Sequence, residues 1–151
     1  VVIIDSDVLL LAFAFQSDKR HAVNEAFLDA VQTAQPATTI YNVMEVLGQL
    51  SFNLSPEKLE KWESWLVNAY QLTVIWSVDP DEKAIASTFR GEIYERPFAK
   101  MREHRMAFMD AMILDLAERT PDAECFVTWN AKHFKGKSSL PVMTPEEYLN
   151  R

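Results

Sequence analysis

The chain opens on Val1-Val2-Ile3-Ile4, an unbroken β-branched run that stops at an acid, Asp5. β-Branched side chains favour strands, and a continuous apolar run, unlike an alternating one, marks a strand covered on both faces. Short apolar runs then alternate with longer segments of helical period. Ala37 to Ile40, Leu72 to Trp76, Glu124 to Thr128 and Pro141 to Met143 read as further strands. Helices are expected from Asp7 to Phe15 with Ser6 or Asp7 as cap, across Ala22 to Val31, and from Val43 to Leu50. Others are expected after Ser55-Pro56, from Asp79-Pro80 toward Arg96, and from Met106 to Glu118. Thr144-Pro145-Glu146-Glu147 reads as a capping box. Strands separated by helices belong to βαβ units, so the expected class is α/β with a mainly parallel sheet covered on both faces.

With 151 residues, only 3 glycines and no Gly/Ser/Pro-rich linker, the chain reads as one domain spanning 1–151. The lone Cys125 excludes a disulfide framework and favours a reducing cytoplasm; inside a strand it reads as a buried inert thiol. No apolar run approaches the roughly 20 residues that cross a bilayer, so no membrane partner is expected, and the opening run is too short for a signal segment. A net charge of −7 counts against a broad electrostatic surface for nucleic acid.

In open parallel sheets, chemistry gathers at the carboxyl ends of the strands. Asp5 ends the first strand, Glu45 lies one turn into the helix after the second, Asp110 is near the start of the helix from Met106, and Asn130 follows the strand ending at Thr128. Three carboxylates and an amide oxygen are thereby brought toward one edge. Unneutralised, they repel one another; all are hard oxygen donors, which suits Mg²⁺ or Mn²⁺ better than Zn²⁺. A cation held there lowers the pKa of a bound water and offsets charge on a phosphate, the chemistry of phosphodiester hydrolysis. Asp7 reads either as a further ligand or as a helix cap. Asp115, five residues after Asp110, turns to another helix face and reads as an ion-pair partner. His21, His104 and His133 have no metal-motif spacing. Two basic clusters neighbour the site, one with Lys100, Arg102 and Arg105, the other with Lys132, Lys135 and Lys137. Trp62 and Trp65 read as core, one of them free to face a partner.

Four segments, IIDSDVLL, TTIYNVMEVL, HRMAFMDAMILDLA and VTWNAKHF, together resemble the PIN domain family and, within it, the VapC-type toxins of toxin-antitoxin pairs. They run from the start of the chain to Phe134 in the family's order. The resemblance implies a three-layer α/β/α sandwich and a metal-dependent endoribonuclease whose acidic residues map onto Asp5, Glu45 and Asp110. The chain departs from the pattern twice: Asn130 stands where a fourth acid is frequent, and Asp7 where Asn is frequent, so the fourth Mg²⁺/Mn²⁺ ligand is Asn130 or Asp7. By the same resemblance Thr128 is a positioning hydroxyl, the chain forms a homodimer, and a small cognate antitoxin silences it. Lys100, Arg102 and Arg105, with Lys132 to Lys137, are expected to hold phosphates of the RNA substrate. Binding then depends on the ion and on local cations, with little affinity for RNA in the absence of metal.

Two other readings compete. DSDVL also fits the first motif of haloacid dehalogenase-type phosphatases, with Asp5 as nucleophile, Asp7 as general acid, and Asp110 with Asp115 as a metal pair. Against it, the segment before Asp110 is highly charged where that family has an apolar strand. The other is a PIN-like binding module with weakened catalysis, to which Asn130 points.

Overall fold

A computed structural model describes residues 1–77, 88 and 90–151. Five strands form one all-parallel sheet: β1 (Val2–Ile4), β2 (Pro36–Thr39), β3 (Thr73–Ile75), β4 (Cys125–Val127) and β5 (Val142–Met143). Their order is β3-β2-β1-β4-β5, so the opening run becomes the central strand. Among the described residues the helices are α1 (Ser6–Ala14), α2 (His21–Val31), α3 (Ile40–Leu50), α4 (Pro56–Ala69), α5 (Arg96–His104), α6 (Phe108–Arg119), α7 (Ala131–Phe134) and α8 (Pro145–Leu149).

The period of two along β1 and β4 explains the layers. Val2, Ile4, Cys125 and Val127 face a core that includes Val8 and Leu9 of α1, Phe27 and Leu28 of α2, and Tyr148 of α8. Ile3 and Phe126 face the opposite way, into a core with Ala111, Ile113 and Leu114 of α6 and with Phe134. Val2, Ile3 and Ile4 are fully buried, each contributing about 1.5–3 kcal/mol. The fold is thus the α/β sandwich with a parallel sheet that the alternating runs predict. Cys125 is buried as expected, and burial raises its thiol pKa.

Local chemistry shifts several boundaries. α1 starts at Ser6, and its cap is Asp5, whose side chain accepts from the Ser6 N–H, not Ser6 or Asp7. Ile40 belongs to α3 and not to the strand, because Thr39 caps that helix reciprocally with Asn42. Ser55 and Thr144 cap α4 and α8 as their motifs predict. The expected helix start at Asp79-Pro80 lies outside the described residues. Beyond it, a wide helical turn over Gly91–Glu95 leads into α5, which extends past Arg96 to His104 and ends at Arg105 in the left-handed region, φ 51°. Trp62 and Trp65 of α4 pack edge-on against Phe13 of α1, and Trp65 stays half exposed.

Candidate active site

From central β1 the chain builds outward to β2 and β3 on one side, and later to β4 and β5 on the other. The crevice where this direction reverses is the usual ligand position of such sheets, and Asp5 stands at it. The Asp5 N–H donates to the Val127 carbonyl at 3.0 Å and the Thr38 hydroxyl to the Ile4 carbonyl at 2.8 Å, which holds the ends of β1, β2 and β4 together. Asp5 is only 6% exposed. Its Oδ1 accepts from the Ser6 N–H at 2.8 Å and from Asn42 Nδ2 at 2.8 Å. Asn42 is itself fully buried, with its Oδ1 accepting from the Thr39 hydroxyl and N–H. One turn along α3, Glu45 reaches the same place: the Ser6 hydroxyl lies 2.5 Å from Glu45 Oε2 and 3.3 Å from Asp5 Oδ1, and gives its one hydrogen to the nearer acceptor.

Asp7 does a different job. Its Oδ1 accepts from the Trp129 N–H at 3.1 Å, and its Oδ2 from the Thr128 hydroxyl and the Asn130 N–H, both at 3.0 Å. Both oxygens are therefore engaged in fastening the turn after β4 to α1. The fully buried Thr128 hydroxyl, which also accepts from the Asn130 N–H, belongs to that fastening.

Burial pushes the Asp5 carboxyl up to about 8, reinforced by the charge of Asp7 and, less, of Glu45; the nearby Thr128 hydroxyl and the hydrogen bond from the Ser6 N–H oppose the shift. Burial also raises Asp7, against the hydrogen bonds from Trp129, Thr128 and Asn130. Among the described residues no lysine, arginine or histidine forms an ion pair with Asp5, Asp7 or Glu45.

Asp110 sits in the first turn of α6, where its Oδ2 lies 3.1 Å from His133 Nε2 without the alignment of a hydrogen bond. Among the described residues the expected ligands therefore fall into two contact groups, Asp5 with Glu45, bridged by Ser6, and Asp110 with His133. Among the described residues no group of three or more His, Cys, Asp or Glu side chains is arranged to hold a metal ion. The donor chemistry of Asp5 and Glu45, all oxygen and short of positive charge, nonetheless fits a hard divalent cation. Of the basic residues, Lys100 is paired with Glu118, while Arg102 is exposed beside Glu103 and Phe98 and Arg105 is exposed at the end of α5.

Asp115 is not paired with Asp110 as a phosphatase metal site requires. It accepts from Arg96 Nε at 3.0 Å and Arg119 Nε at 2.9 Å, and both arginines also contact buried Glu92, which accepts from the Tyr41 hydroxyl at 2.7 Å. Sequence reasoning missed Asn42 and Ser6. A Thr-x-x-Asn cap was legible for Asn42, but not that its amide would turn to Asp5.

No protein-family model and no curated protein sequence matches the chain. Solved structures do. A chain of a toxin-antitoxin complex from Klebsiella pneumoniae aligns at 23% identity over 96% of this chain and 98% of its own, with a TM-score of 0.59. A chain of VapBC2 from Rickettsia felis, bound to a DNA fragment from its promoter, aligns at 15% identity over 95% and 97%, with a TM-score of 0.64. The fold is PIN-like. A chain of FitAB bound to the IR36 DNA fragment shares it too, at 16% identity, 96% and 95% coverage and a TM-score of 0.61. The PIN-like arrangement accounts for nearly the whole chain, and no described helix is long and apolar enough to cross a membrane.

Proposed function

We propose that this chain is the toxin of a toxin-antitoxin pair and acts as a Mg²⁺- or Mn²⁺-dependent endoribonuclease. The observation that carries this reading is the Asp5–Glu45 pair: two carboxylates share one hydroxyl at the switch point of the sheet, with no ion-pair partner among the described residues. Support for the toxin role comes from the likeness to chains of toxin-antitoxin complexes along nearly the full length. The same likeness supports a small antitoxin as partner; RNA as substrate and a second copy of the chain as partner follow from the resemblance of the four sequence segments, and the cytoplasm from the lone Cys125.

Asp5 and Glu45 would hold the cation, joined by Asp110. Bound there, it would supply a water of lowered pKa and stabilise charge developing on the phosphate. The chain's own residues orient the site: Asn42 and the Ser6 N–H fix one oxygen of Asp5, Ser6 fixes Glu45, and Asp7 holds the turn carrying Asn130. With both of its oxygens engaged, Asp7 is less suited than Asn130 to complete the ligand set. A panel of structured RNAs incubated with Mn²⁺ or with EDTA tests the activity. Cleavage is expected with Mn²⁺ alone, and Asp5→Asn or Asp110→Asn should abolish it while leaving the melting temperature within a few degrees. Full activity in either variant would reject the assignment.

A further inference from the structure

About half of the lysines and arginines among the described residues are paired with the chain's own acids. Arg20 pairs with Asp18, Arg90 with Glu95, Arg96 and Arg119 with Glu92 and Asp115, Lys100 with Glu118, Lys135 with Glu147 and Arg151 with Glu124. Lys132 and Lys137 form no ion pair among the described residues, and both line one cleft of about 350 Å³ together with Asn130 and His133. Its position matters. The Asn130 N–H is bound to Asp7, and His133, on the wall of the cleft, faces Asp110 at 3.1 Å. The cleft therefore adjoins the carboxylate edge. Lysine ammonium groups act on phosphates as point charges, and the Asn130 amide adds donors; unpaired lysines beside an acidic site offer a place to an anion that the acids themselves repel.

We infer that this cleft is a phosphate subsite for the RNA strand, with Lys132 and Lys137 holding a backbone phosphate next to the one cleaved. The inference rests on the ribonuclease reading for its substrate, and it divides the basic cluster of the sequence. Lys135, between the two in sequence, is committed to Glu147 and takes no part.

The test is binding of a fluorescein-labelled single-stranded oligoribonucleotide by anisotropy, titrated upward from low salt in EDTA, where the weak metal-free affinity is strengthened by the low salt and isolates the share of the lysines. Single-strand contacts contribute about 0.7 each to the slope of log K against log salt, so the Lys132→Ala/Lys137→Ala variant should lose about 1.4 of slope and bind several-fold more weakly. Lys135→Ala should match the unsubstituted chain. An unchanged slope in the double variant, an equal loss in Lys135→Ala, or no binding by the unsubstituted chain at the lowest salt would overturn the subsite. No metal and no cleavage enter this measurement. A protein inactive on RNA but with the expected slopes keeps the cleft and rejects the nuclease; an active one with unchanged slopes does the reverse.

Discussion

Among the described residues two acidic groups are buried, and the protein treats them in opposite ways. Glu92 and Asp115, 4% and 6% exposed, are met by Arg96 and Arg119, each of which contacts both acids. Asp5, equally buried, is met by Asn42, by Ser6 and by the charges of Asp7 and Glu45. The first group carries its own counter-charge and ties α5 and α6 to the turn before them. The second has only dipoles, which orient a carboxylate without neutralising it. Burying a charge costs several kcal/mol unless something compensates it, so Asp5 either keeps a proton or awaits a cation from outside. The comparison separates an acid cluster that supports structure from one suited to chemistry; the ion-pair role of Asp115 was legible in the sequence, its arginine partners and Glu92 were not.

The sharpest way to break the distinction is to make the first group resemble the second. Arg96→Met with Arg119→Met leaves Glu92 and Asp115 buried without cations, with an expected loss of about 3–5 kcal/mol in urea unfolding near pH 8. Adding Glu92→Gln and Asp115→Asn to that pair should recover much of the loss, since no buried charge is then left uncompensated. No recovery would mean that the arginines act through packing alone.

A smaller effect, of opposite sign, is expected at the other group. The folded-state pKa of Asp5 is raised from an ordinary value of 3.8 to about 8, so between these values the folded chain binds a proton that the unfolded chain has released. Its contribution to stability therefore falls as pH rises through that window and levels off above it. Asp5→Asn keeps an oxygen for the Ser6 and Asn42 donors and removes the charge. It should gain on the order of 1–2 kcal/mol at pH 8 and little below pH 4, as read from unfolding curves at both pH values. A loss of stability at pH 8 would contradict the assignment of repulsion to this site.

Much of the fold was legible because burial on both faces writes itself into a strand as an unbroken β-branched run, and Val1 to Ile4 led directly to the central strand. The positions of Asp5, Glu45 and Asp110 at strand ends and helix starts were legible for the same reason. Their partners were not. Asp7 could have been ligand or cap, and only the approach of residues 128 to 130 shows that it fastens a turn 121 to 123 residues away. Nothing local in Arg96, in a helix with no strong cap signal, reveals that its guanidinium meets Asp115 nineteen residues on. Long-range pairing of charges depends on how elements stack, and spacing along the chain is silent about it. For that reason Lys132, Lys135 and Lys137 looked equivalent in sequence and separate in three dimensions.

The central claim is that the Asp5–Glu45 edge is an anionic site that a divalent cation completes. Thermal unfolding at pH 7 across a Mn²⁺ titration tests it most directly, since a ligand bound only by the folded chain raises the midpoint in proportion to RT ln(1 + [L]/Kd). The account predicts a midpoint that keeps rising with the logarithm of Mn²⁺ concentration above Kd for the unsubstituted chain and a flat one for Asp5→Asn. A flat midpoint in both, or the same rise in both, would contradict it.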